Sequence, residues 1–419
     1  MRRLIDQIWA SELIKGMGVF FIGSMIVNLG AFVYHVIMAR FLGPIEYGIL
    51  GSLIGLTYFA SIPIGALDIL VTKGISSLGD EDLVSGSKSF LAYLFSRLNI
   101  WLVVLAVILL VSTGYVTRFL HLDQWSGVML VWVMVYGLIF STVGLATLRA
   151  LLLFKQVVIN QVLSMFLRLV ISAIIVFTIS RTYLGAQWGV VISMLAGLGI
   201  LLYQSKFIFA APFSRAKLKF NLRNLGLASL FFSGAFTSMY SLDVVLVKHF
   251  LPDYWAGIYA SLATGGKVVF FALAPIAVVL LPVVSRKVVK KLSVRSDLFT
   301  ILAVSFMIGG GIVVGYFLFS PTVVNILFTN RFLDAAVYLP WFGLAMLGYS
   351  LAIILGSFLL ALNKMKVVGI ALAGLVLELI LISLFNANLW QVVWGLMIVF
   401  WSLAIVLFSY CLYATQREN

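Results

Sequence analysis

Apolar runs of about 20 residues, the length of helix that crosses a ~30 Å hydrocarbon core, recur twelve times along this chain. The first six lie near residues 17–39, 47–70, 90–113, 126–148, 157–180 and 184–205. The second six lie near 226–248, 255–282, 298–319, 336–361, 367–385 and 389–413. Lipid offers backbone polar groups no partner, so such runs can only be satisfied as helices. The pattern predicts an all-α integral membrane protein, with twelve transmembrane helices in two six-helix halves around a central cavity. Composition agrees, since 63% of the 419 residues are hydrophobic and 10% charged, and a mean hydropathy of +1.16 is foreign to soluble domains of this length. The first run shows no small-residue cleavage site and reads as a retained span. The gaps are too short for a soluble domain, which confines function to the membrane.

Within this pattern one hairpin stands out. Asn28 to Leu53 carries an apolar helix to Arg40, a Gly43-Pro44 turn, and a second apolar helix from Tyr47. Its second part, F-L-G-P-I-E-Y-G-I-L-G-S-L (Phe41–Leu53), can be laid without gaps on F-L-P-D-Y-W-A-G-I-Y-A-S-L (Phe250–Leu262), half a chain further on. Transporters are commonly built from two repeated halves. The expected parts are an interfacial amphipathic helix at 1–16, a six-helix bundle at 17–205, a basic cytoplasmic linker at 206–225, a second bundle at 226–414 and a tail at 415–419. The first of these sets Leu4, Ile5, Ile8, Trp9 and Leu13 against Arg2, Arg3, Asp6, Gln7 and Lys15.

The net charge of +14 does not mark a nucleic-acid partner, because the basic residues occupy short gaps between spans. With the N-terminus inside, the outer gaps hold only Arg40, Arg118, Arg181, Lys248 and Arg331 among the Lys and Arg residues. This bias predicts cytoplasmic termini. Two basic clusters, Lys206–Arg223 and Arg286–Arg295, face the anionic headgroups. The single cysteine, Cys411, excludes an intrachain disulfide.

A charge near mid-span costs about 2.5–3.5 kcal/mol on insertion scales, so each one requires a reason. Arg168, Lys267 and Glu378 sit deep; Asp68 and Asp243 sit nearer span ends. A buried Arg168–Glu378 salt bridge is the plain explanation; a water-filled cavity is the other. Polar stripes at helical spacing favour the cavity: Ser24, Asn28, Ala31 and His35; Thr57, Ser61, Gly65, Asp68 and Thr72; Ser233, Thr237 and Tyr240; Thr264 and Lys267. Pro63 and Pro275 are expected to interrupt their spans and act as flexing points. The histidines are scattered, no metal-ligand spacing or phosphate loop occurs, and the chain reads as no enzyme, with no cofactor or metal.

Ala39–Gly48, A-R-F-L-G-P-I-E-Y-G, resembles the first hairpin of the polysaccharide flippases of the multidrug/oligosaccharidyl-lipid/polysaccharide exporter (MOP) superfamily. Leu242–Ala260 is similar to their seventh span, and L-P-V-V-S-R (Leu281–Arg286) to the end of their eighth. The resemblance implies an alternating-access flippase for undecaprenyl-diphosphate-linked oligosaccharide, working in the inner membrane among membrane lipids and other polysaccharide-assembly proteins. Together with the buried charges and polar stripes, this predicts that Arg168, Lys267, Asn28, His35 and Tyr240 line the substrate site. Asp243 matches a family position; Asp68 and Glu378, chosen for their place in the spans alone, join it as candidates for H+ or Na+ coupling or charge pairing. Two alternatives stay open, a cation-coupled multidrug antiporter of the same superfamily and a membrane-embedded glycan polymerase or ligase.

Overall fold

The computed structural model describes residues 2–76, 78, 83–213, 227–289 and 294–416. Side chains up to residue 17, most of the linker at 206–225, most of the Arg286–Arg295 cluster and most of the tail lie outside the described residues, so the expected amphipathic face, linker, cluster and tail fall wholly or partly there. The helices are α1 (Arg2–Ala60), α2 (Ile62–Ser76), α3 (Leu83–Phe119), α4 (Ser126–Ala150), α5 (Phe154–Thr178), α6 (Tyr183–Gln204) and α7 (Lys206–Ala210). They continue with α8 (Leu227–Phe250), α9 (Asp253–Gly266), α10 (Val268–Val289), α11 (Arg295–Phe328), α12 (Leu339–Ala361), α13 (Lys366–Leu384) and α14 (Leu389–Gln416). A 3-10 helix, Asn330–Val337, precedes α12. All regular structure among the described residues is helical.

Eleven described helical segments are long and apolar enough to cross a membrane. The first, Gly18–Ala60, spans 43 residues, too long for one crossing, and it leaves helical geometry at Gly43 (φ 75, ψ 179). That single break divides it into the first two expected spans. Only glycine takes this φ without strain, and Pro44 then restarts the helix at a position where its missing N–H is no loss.

Contacts divide the chain into two compact units. One holds Met1–Phe41 and Ala60–Leu227, the other Leu42–Phe59 and Ala228–Asn419. Residues 42–59, expected within the first bundle, thus group with the second half. A close backbone approach accounts for this. A Cβ on Gly48 would lie 2.7 Å from the nitrogen and 2.8 Å from the Cα of Gly257, and one on Gly257 would run into the Pro44 carbonyl. Gly48 and Gly257 are the same position in the two aligned segments. So are Gly51 and Ala260, which also meet.

In the first unit α4 and α6 bury about half of their span windows. The lower part of α2, α3 and α4 meet in an apolar cluster around Val71, Phe90, Leu94 and Val143. In the second unit α12 is the central helix, with Leu339, Phe342, Tyr349, Leu355 and Phe358 all buried. Two expectations about breaks need correction. The eighth span continues as helix through Lys267, whose φ of −65 and ψ of −10 stay right-handed and whose N–H and carbonyl still bond Ala263 and Phe271 at 3.0 Å, and Pro275 lies inside α10 without interrupting it. In the second span the break falls at Ser61, and Pro63 occupies the first turn of α2, which tolerates it.

Candidate functional site

Each unit contains its own polar cluster. In the first unit α5 presents Gln156, Asn160, Ser164, Arg168 and Ser172 at four-residue spacing, which puts them on one stripe of the helix. This stripe faces α6: Asn160 Nδ2 donates to Gly197 O at 3.0 Å, Ser172 Oγ to Ala186 O at 3.4 Å, and Gln204 Nε2 to Gln156 O at 3.1 Å. The sequence reading singled out Arg168 alone, although the spacing of the whole stripe is plain in N-Q-V-L-S-M-F-L-R-L-V-I-S.

Arg168 reaches the first part of α1. Its guanidinium stacks over the ring of fully buried Tyr34, 4.0 Å from the centroid, an arrangement that offsets desolvation of the cation. His35 meets the same ring edge-on, 5.7 Å between centroids. Arg168 Nε is buried without a hydrogen-bond partner, as is Ser164 Oγ one turn away. Among the described residues no carboxylate lies within ion-pairing distance of Arg168. Both Glu378 oxygens lack hydrogen-bond partners among the described residues. Asn28 is exposed on α1, beside exposed Ile26 and Leu29. Asp68 pairs with Arg149 of α4.

In the second unit the sequence-selected residues Tyr240, Asp243, Lys267 and Glu378 come together. Lys267, between α9 and α10, donates to the Tyr240 carbonyl at 2.6 Å and lies 4.0 Å over the Tyr240 ring. Its Nζ is 3.9 Å from Asp243 Oδ1. Asp243 accepts from Tyr259 OH at 2.8 Å and from the Val244 N–H at 2.8 Å. Glu378, 1% exposed, lies on the buried stripe of α13 with Ala371, Gly374 and Ile382, within electrostatic reach of Asp243 and Lys267. Tyr58, Phe270 and Tyr349 surround the Tyr240 ring at 5.5–6.4 Å between centroids. Thr264 is used differently: it hydrogen-bonds Tyr47 OH at 2.7 Å and ties α9 to the repeated hairpin. Two carboxylates thus face one ammonium. Fully ionised, the trio carries one uncompensated negative charge, which one proton or one monovalent cation would balance. No group of three or more metal-ligating side chains occurs among the described residues.

Solved structures share this architecture over nearly the whole chain. The inward-facing conformation of a multidrug resistance MATE family transporter of the MOP superfamily superposes with a TM-score of 0.79 at 15% identity, over 94% of this chain and 95% of that one. The outward-facing conformation of a multidrug resistance MATE family transporter gives 0.62 at 16% identity, over 97% and 96%. A MOP superfamily transporter from Pyrococcus furiosus Vc1, described as having a binding pocket of reverse polarity, gives 0.60 at 15% identity, over 97% and 96%. The protein has the fold of the MATE membrane transporters. Residues 37–337 match the family described as "Polysaccharide biosynthesis protein", and the chain belongs to that family. No curated protein matches it.

Proposed function

We propose that the protein is a flippase that carries undecaprenyl-diphosphate-linked oligosaccharide from the cytoplasmic to the outer leaflet of the inner membrane by alternating access. Family membership supports the polysaccharide pathway. The observation that carries the site is Arg168, a guanidinium kept inside an apolar span by Tyr34, with a buried Nε that no protein group satisfies. A planar fork of donors suits a diphosphate, and the lipid tail can stay in the bilayer while the headgroup crosses. His35 and Asn28 on α1 are assigned to the same substrate path. Lys267 is more deeply engaged, so the trio with Asp243 and Glu378 is assigned to H+ or Na+ coupling, and Tyr240 to holding Lys267. Asp68 serves pairing with Arg149 and no coupling.

In cells depending on this protein for surface glycan, Arg168→Ala is expected to lower glycan by tenfold or more, since a charge-assisted hydrogen bond is worth about 1.5–3 kcal/mol. Arg168→Lys recovers only part, because the fork and the stacking are lost. Wild-type glycan in the Ala variant, at equal membrane abundance, would remove Arg168 from the site. The Arg149 and Asp68 side chains are 26% and 35% accessible, and where that face is wet such a pair contributes at most about 1 kcal/mol. Asp68→Asn should therefore barely lower the melting temperature and leave export intact; loss of export in a folded Asn variant would return Asp68 to the coupling set.

The fold also suits a cation-coupled drug antiporter, which would change drug susceptibility and leave surface glycan untouched. A polymerase or ligase finds less support. The acid of the outer 3-10 helix, Asp334, accepts a hydrogen bond from Tyr254 OH at 2.8 Å, a local tie between helices.

A further inference from the structure

Between α3, α4, α6 and α7 the first unit forms a half-open apolar pocket of about 530 Å³ that no proposed transport residue uses. Leu91, Phe95, Phe140, Val143, Leu198 and Leu201 supply its walls. The stacked pair Phe95–Phe140, 5.9 Å between centroids, stiffens one side. The rim includes exposed Ala92, Leu202 and Phe209. One cation stands at it. Lys88 Nζ donates to the carbonyls of Phe209 and Ala211, each at 2.8 Å, and lies 4.5 Å over the Phe213 ring. An ammonium has three donors, so one stays uncommitted, and among the described residues no carboxylate pairs with it.

We infer that this cavity holds one acyl chain of an anionic phospholipid, whose phosphate takes the third donor of Lys88. Size and charge both select that occupant. A cavity of about 150 Å³ lined by Leu, Ile and Phe takes benzene, or ~25 Å³ per carbon, so about 20 carbons fit here. That suits a common acyl chain and is far too little for an undecaprenyl tail. Filling the cavity withdraws apolar surface from no water, so the gain lies in packing contacts and in the ion pair, which a membrane surface rich in anionic lipid supplies. Lys88 also fastens the Phe209 and Ala211 carbonyls, at the end of α7, to α3, so the lipid would brace that short helix.

The test is native mass spectrometry of the detergent-purified full chain with phosphatidylglycerol, with phosphatidylcholine of identical chains, or with undecaprenyl phosphate. The expected result is retention of one phosphatidylglycerol at least fivefold above phosphatidylcholine. That preference falls to unity in Lys88→Gln, while bound lipid drops fivefold or more in Ala92→Trp and in Leu202→Trp. Size-exclusion profiles identify any variant that fails to fold, and the two tryptophans block the rim from different helices. Equal retention of the two phospholipids by the wild type would overturn the proposal. So would undiminished binding in either folded tryptophan variant, or stoichiometric displacement of phosphatidylglycerol by undecaprenyl phosphate, which would assign the cavity to the transported lipid.

Discussion

Gly257→Ala is expected to destabilise the protein, whereas Gly310→Ala, the same change in another helix of the same unit, is expected to be neutral or stabilising. Alanine is favoured over glycine in a helix by up to about 1 kcal/mol, and a Cβ at Gly310 meets nothing within 4 Å. At Gly257 it would meet the Pro44 carbonyl, where the repeated hairpin crosses α9. Overpacking of this kind costs about 1–3 kcal/mol, and backbone cannot rotate away as a side chain can. Gly48→Leu, from the other side of the seam, should do more, expelling residues 42–59 from the second unit and abolishing surface glycan. Melting temperatures in detergent and glycan levels in cells check both. A Gly257→Ala protein as stable as Gly310→Ala would mean that the seam is not held at this spacing.

The second large effect is at Lys267. Lys267→Met leaves Asp243 and Glu378 buried without their cation, and breaking a buried pair from one side costs about 3–5 kcal/mol. The single variant should melt at a much lower temperature than wild type. Lys267→Met combined with Asp243→Asn removes both charges of the 3.9 Å pair and should recover most of the lost stability, yet remain unable to export glycan. Stability and function separate in the double variant because the cluster returns to its wild-type net charge, with Glu378 alone remaining, while coupling needs the groups that exchange charge. Export by the double variant would show that the trio is structural.

What the sequence discloses about this molecule follows the range of the forces involved. Span number and the Gly43-Pro44 division are local: hydrocarbon thickness sets the one, backbone sterics the other, and both are legible residue by residue. The intramembrane charges are legible too, because lipid makes each of them costly. Their partners are not. Asp68 with Arg149, and Lys267 with Asp243, join residues from separate helices, and nothing in either helix alone selects the other. Arg168 stacks on the Tyr34 ring and Glu378 lies on a buried stripe of α13, surroundings that neither helix spells out by itself. Pro275 misled for a related reason. A proline's freed carbonyl need not break a helix. The α5 stripe was legible and is recovered by extending the four-residue spacing on both sides of Arg168. Grouping residues 42–59 with the second half depends on Gly48 meeting Gly257, which the alignment of the two hairpins marked as equivalent without indicating that they touch.

Transport itself is tested by placing purified protein in sealed vesicles with a fluorescent undecaprenyl-diphosphate oligosaccharide in one leaflet and imposing a pH or sodium gradient. Translocation should exceed that of protein-free vesicles, respond to one of the two gradients, and disappear with Arg168→Ala. Glycolipid movement no faster than in protein-free vesicles, with a cationic drug carried instead, would contradict the flippase reading and leave the fold serving a different cargo.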